Sequence, residues 1–293
     1  MAKSNMPETM SSSHKPAVIW NPTWEPIIIA LMYLLFLQAV RFAPGNIAGV
    51  IVSTLISLGM VIWFTASVGR FISRDKRGAI VFLLIGVIML PLRVLIVKGF
   101  HPALLINGWL PGLQELAFIC LAGGIGGGLS YLLRSANMIP PLAAALALVD
   151  IWTVLFGGPV QRAINSPHPV AKQITNAMIV SITPSQAGAS PISLGIGFAD
   201  FLFIAFFVAA ICRFVQKPHT YRITVQTLAG VLAVYMAVVF ITGWSLPALV
   251  PMGIVMIGLH WRNFHYDRSE LFAMAYAGLF IGLICGAFAL FLR

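Results

Sequence analysis

MIPPLAAALALVDIWTVLFG, residues 138–157, is the stretch that decides how this chain is read. It is apolar over a length that, as a helix, crosses roughly 30 Å of hydrocarbon, and its only ionisable group is Asp150. Lipid offers a spanning backbone no hydrogen-bond partners, and the run is too long for a barrel strand, so it reads as a membrane helix with a carboxyl group inside it.

Similar apolar runs fill the rest of the chain, near 24–42, 46–68, 78–97, 112–133, 190–214, 222–243, 247–262 and 269–292. With 138–157 they predict an all-α polytopic membrane protein of about nine transmembrane helices. The composition agrees: of 293 residues 59% are hydrophobic and 9% charged, with mean hydropathy +0.95. A soluble surface carries roughly a quarter charged residues, so cytosolic enzymes, nucleic-acid binders and secreted disulfide scaffolds are excluded. Residues 1–23 read as a disordered tail without the pattern of a secretory signal. Residues 24–133 read as a scaffold of about four spans. Residues 134–293 hold the Asp150 helix, a loop at 158–189, a second acidic helix, a proline-started helix and a final span. The AGGIGGG run within 112–133 is expected either to pack tightly or to unwind.

The net charge of +10 is a matter of topology rather than of an acidic partner. Lys3, Lys15, Arg70, Arg74, Lys76, Arg77, Arg134, Arg213, Lys217, Arg222, Arg262 and Arg268 fall on the tail side of the spans. Arg41, Lys98, Arg162, Lys172 and Arg293 fall on the other, with Arg93 inside a span. Basic loops stay in the cytoplasm, which puts the N-terminus inside and the 158–189 loop outside. The loop-poor layout points to a prokaryotic plasma membrane.

A second carboxyl group lies in GIGFADFLFIAFF, residues 195–207. Burying an ionisable group in hydrocarbon costs several kcal/mol, so such groups usually face a cavity or a partner and do work. Asp150 precedes Pro159 by nine residues and Asp200 follows Pro191 by nine. Helical stretches on both sides would set each carboxyl about 13 Å from the same face, and level with the other if the two helices are antiparallel neighbours. Two carboxyls sharing a site cannot both ionise cheaply and hold one proton between them. In aspartic-protease chemistry the ionised member takes a proton from an attacking water while the other donates to the peptide carbonyl oxygen. The same pair would also suit H+ or cation binding in a transporter, or simple hydrogen bonding between helices. Glu115 sits less deep, near a helix start.

A third element, Leu246-Pro247-Ala248-Leu249-Val250-Pro251, opens the span 247–262 from the same face. Two prolines four residues apart cannot both sit in an unbroken helix interior, so backbone groups here are left outside the helical ladder, unless the prolines simply start a helix.

In this order, Val149-Asp150, then Gly197-Phe198-Ala199-Asp200, then Pro247-Ala248-Leu249, the chain resembles the presenilin and signal peptide peptidase family of intramembrane aspartyl proteases. The resemblance covers about 150–251 and implies a presenilin-like helical bundle. It implies that Asp150 and Asp200 are the catalytic dyad, that Gly197 packs closely beside Asp200, and that Pro247, Ala248 and Leu249 shape the site and hold substrate as an added strand. Val149 stands where the family has Tyr, and Ala199 where it has a second Gly, adding a methyl where helices approach. Only four spans precede the first aspartate and one follows the Pro-Ala-Leu helix, which is unusual for the family. The run Ala177-Met178-Ile179-Val180-Ser181-Ile182 is β-like and reads equally as a further strand or as an ordinary interfacial loop segment. The implied partners are the bilayer and transmembrane peptide substrates, type II by the orientation above, with no cofactor and no nucleic acid; an inactive relative of the family would keep the same fold.

Gly123, Gly124, Gly126, Gly127 and Gly128 give small-residue spacing at 123/127 and 124/128, a helix-contact surface. Arg93 is a candidate partner for Glu115. Cys120, Cys212 and Cys285 stand singly in apolar runs, and the histidines lack ligand spacing, so no metal site is indicated.

Overall fold

The computed structural model describes residues 24–40, 42, 47–99, 109–155, 179–181, 195–217, 219–242 and 247–291. The tail 1–23 and most of the 158–189 loop lie outside them. The fold is all-α, with nine α-helices among the described residues: α1 Glu25–Val40, α2 Ile47–Arg74, α3 Lys76–Gly99, α4 Trp109–Leu129, α5 Ile139–Leu155, α6 Phe198–Phe214, α7 Thr220–Thr242, α8 Leu249–His260 and α9 Arg268–Phe291. Four segments are long and apolar enough to cross a membrane: Ala48–Arg74, Gly112–Leu132, Ala136–Val154 and Thr220–Val239.

Local chemistry sets the helix ends. Asp75 is the single break between α2 and α3, and its Oδ1 accepts the Arg77 N–H at 2.9 Å, satisfying a donor that the first turn of α3 leaves open. Pro140 and Pro141 fall in the first turn of α5, where a missing N–H does no harm. The same holds for Pro251, third in α8.

The core gathers around α6. Phe201, Ile204, Phe207 and Ile211 are fully buried, as expected of a helix apolar on every side. It packs on α2 and α4 and touches α7 and α8. The glycine run of α4 is helical and closely packed rather than unwound. A Cβ at Gly123 or Gly127 would meet Val68 or Ile72 of α2, and one at Gly124 would stand 2.7 Å from the Leu83 nitrogen of α3. The two glycine rows therefore face two different helices, as their spacing predicts. Gly126 faces a third: a Cβ there would fall onto the Leu202 carbonyl of α6.

Polar ties link the helices elsewhere. Glu25 accepts from Arg70 Nη1 at 2.8 Å, Tyr221 Oη at 3.0 Å and Trp63 Nε1 at 3.3 Å, and the Arg70 guanidinium stacks 4.4 Å over the Tyr221 ring. This joins α1, α2 and α7. The partner of Glu115 is Tyr33, which donates to its Oε2 at 2.7 Å; the Arg93 side chain lies outside the described residues.

One boundary differs in kind from the sequence expectation. The span foreseen at 190–214 is helical only from Phe198, because Gly195–Gly197 forms a strand, β2, paired antiparallel with β1, Ile179–Ser181. Glycines at 195 and 197 are poor helix formers, and pairing satisfies this backbone instead. The expected strand at 177–182 is thus present over Ile179–Ser181.

Candidate active site

α6 begins where β2 ends. Gly197 is its N-cap, in an extended conformation, and Asp200 is the third helical residue. Asp200 Oδ2 accepts the Gly197 N–H at 3.1 Å, so the carboxyl turns back over the first turn, one half of a capping box. Asp200 thus lies about 4 Å into its helix, and the helical stretch from which its depth was reckoned is strand at Gly195–Gly197. Its level is set by the strand that precedes it.

Asp150 lies in the last two turns of α5. Over the described residues α5 packs chiefly on α8 and α9, and α6 on α2 and α4, so the two acidic helices are not the closely packed antiparallel neighbours foreseen from the sequence. What reaches Asp150 is the start of α8: the Leu249 N–H donates to Asp150 Oδ2 at 2.8 Å. Leu249 is the first residue of α8 and its N–H has no partner within the helix. The free backbone expected around Pro247 is thus used on the first carboxyl. Pro247 and Ala248 are half-buried beside it, and Leu249 is buried.

The two carboxyls lie within electrostatic reach of one another, and both reach the phenol of Tyr235 on α7. Asp150, Asp200, Gly197, Pro247, Ala248 and Leu249 therefore gather at one end of the bundle, where α5, α6, α7 and α8 meet. No family model, curated protein or solved structure matches this chain. The site is argued from its own geometry.

Among the described residues, a Cβ at Gly197 would meet only Asp200 Oδ2, at 3.5 Å, an ordinary contact, and the Gly197 N–H is bonded to that carboxyl. Ala199 is exposed, so its methyl intrudes on no helix contact. Val149 is exposed as well.

Chemically, each aspartate has one oxygen held by a backbone N–H from a chain break, at Gly197 and at Leu249. Such bonds fix a carboxyl in place without adding a counter-charge, leaving the pair free to share a proton. Among the described residues no three His, Cys, Asp or Glu side chains gather at one point. Tyr235 is the member of the site that the sequence pattern misses: a single tyrosine in an apolar helix carries no spacing signal.

Proposed function

We propose that the chain is an intramembrane aspartyl protease, with Asp150 and Asp200 as its dyad. The observation that carries this reading is the bond from the Leu249 N–H to Asp150 Oδ2, which joins the third motif to the first at the end of the bundle that also holds Asp200. The convergence there of three short motifs scattered over a hundred residues is what supports the reading.

The setting is a membrane of about nine spans. Support comes from the arrangement of side chains: Ser57, Thr65 and Thr224 are buried, while Leu31, Leu35, Leu84, Ile88, Phe272 and Phe280 are exposed. That distribution suits a lipid solvent and is the reverse of a water-soluble surface. On this reading the basic loops support a cytoplasmic N-terminus, the loop-poor layout a prokaryotic plasma membrane, and the family resemblance, in that orientation, type II transmembrane segments as substrates.

In the reaction, the ionised aspartate takes a proton from a water whose oxygen attacks the peptide carbonyl carbon. The protonated aspartate gives its proton to the carbonyl oxygen, forming a neutral gem-diol. Collapse breaks the C–N bond: the leaving nitrogen gains a proton from the dyad, a diol hydroxyl returns one, and the pair again holds a single proton. Substrate must be extended to be cut; among the described residues β1 and β2 pair only with each other, and an unwound segment adds to this pair beside Asp200 as a further strand.

The test is cleavage of single-span peptides by the purified chain in liposomes, with Asp150→Asn and Asp200→Asn as controls. Cleavage lost in both variants supports the proposal. Full cleavage by either refutes it, and proton-coupled uptake without cleavage assigns the carboxyls to a transporter.

A further inference from the structure

Between Leu228 and Ile241 the one polar side chain of α7 is Tyr235. It lies seven residues after Leu228 and three after Leu232, both buried, and so continues the inward stripe of the helix. Val234 and Val238, on the other side, are exposed. The Tyr235 ring is partly buried against the core, and α7 packs on both α6 and α8, the helix that begins with Asp200 in its first turn and the helix that supplies the Leu249 N–H to Asp150. Thr224 Oγ1 and His260 Nε2, 2.9 Å apart, set the register between α7 and α8; eleven residues further along α7 and eleven back along α8 stand Tyr235 and Leu249, so the phenol is level with the turn that donates to Asp150.

We propose that Tyr235 is a positioning residue of the dyad, its hydroxyl dipole deciding which carboxyl keeps the shared proton. The inference rests on the protease reading for its consequence in catalysis, but not for the coupling itself. A hydroxyl dipole near two otherwise similar carboxyls makes their environments unequal, and unequal environments are what separate an acid from a base. Asp150 and Asp200 are each held by one backbone N–H through Oδ2, so those bonds alone leave them alike. Asp200 is also the more deeply buried of the two, and the Tyr235 dipole adds to that inequality.

The experiment compares wild type with Tyr235→Phe, which keeps the ring and its packing. The first readout is the infrared carbonyl band of the protonated carboxyl, assigned by its loss in Asp150→Asn or Asp200→Asn. The second is the kinetics of peptide cleavage in liposomes. Expected are a shifted band, kcat lower by about ten- to a hundredfold, the usual effect of removing a group that orients a reacting one, KM within about twofold, and an unchanged thermal unfolding midpoint. A purely structural role would move the midpoint and leave the band in place. An unmoved band overturns the proposal whatever the kinetics. A shifted band in a protein that cuts no peptide upholds the coupling and refutes the protease reading.

Discussion

Gly126→Ala is the most demanding test of the packing that carries Asp200. An added Cβ would fall onto the Leu202 carbonyl oxygen, with the Leu202 carbonyl carbon at 2.9 Å and its Cα at 3.2 Å. Carbon atoms rest at about 3.5–4.0 Å, so α4 and α6 must part by nearly 1 Å at this crossing. Overpacking of this sort costs roughly 1–3 kcal/mol. Removing a mid-helix glycine returns about 0.5–1 kcal/mol, which must be subtracted. Gly230→Ala and Gly128→Ala supply that correction, since a Cβ at Gly230 meets nothing within 4 Å and one at Gly128 only the Ala79 Cβ at 3.5 Å. The expected order is therefore Gly126→Ala below the other two, which equal or exceed wild type, with a gap of about 1–3 kcal/mol, the overpacking cost alone because the glycine correction cancels. Thermal or denaturant unfolding in one detergent measures it. Equal stability of the three variants would refute the close α4–α6 crossing. Because Leu202 lies two residues beyond Asp200, the same variant is expected to lower cleavage by about a hundredfold, the usual effect of a 1 Å misplacement.

Other expectations follow from the remaining contacts. Asp150→Asn and Asp200→Asn are each expected to abolish cleavage while leaving the unfolding midpoint close to wild type; a collapse of the fold in both would show the carboxyls to be structural. Pro247→Ala restores an N–H and lets α8 extend backward, drawing the Leu249 N–H away from Asp150, so kcat/KM should fall about tenfold with little change in stability. Unchanged kinetics would remove Pro247 from the site. Glu25→Gln weakens the Arg70 ion pair and the acceptor shared by Tyr221 and Trp63, and is expected to destabilise the bundle by about 1–3 kcal/mol; a loss below about 0.3 kcal/mol, read from unfolding, would make that cluster incidental.

Long apolar runs announce helices because length and composition act locally, which is why α1, α5 and α9 fall close to the spans read from residues 24–42, 138–157 and 269–292. The glycine rows of α4 were legible for the same reason, since a four-residue spacing maps directly onto a helix face. The level of Asp200 was not, because whether Gly195–Gly197 forms helix or strand is decided by pairing with Ile179–Ser181, a distant segment. Nor was the donor to Asp150: prolines at 247 and 251 mark a break, but which group accepts the freed N–H depends on how α8 docks on α5. Tyr235 and the three-way hold on Glu25 are products of packing alone.

The two carboxyls straddle a seam. Asp200 is built into the α2–α4–α6 block, and Asp150 into the pairing of α5 with α8 and α9. A site divided in this way behaves like the two jaws of a vice, whose gap is governed by the slide between the blocks rather than by the rigidity of either. Substitutions along the α7 and α8 faces of that seam are expected to retune the gap between the carboxyls while the central helices keep their strength. A small molecule wedged there would hold the carboxyls apart without unfolding the protein.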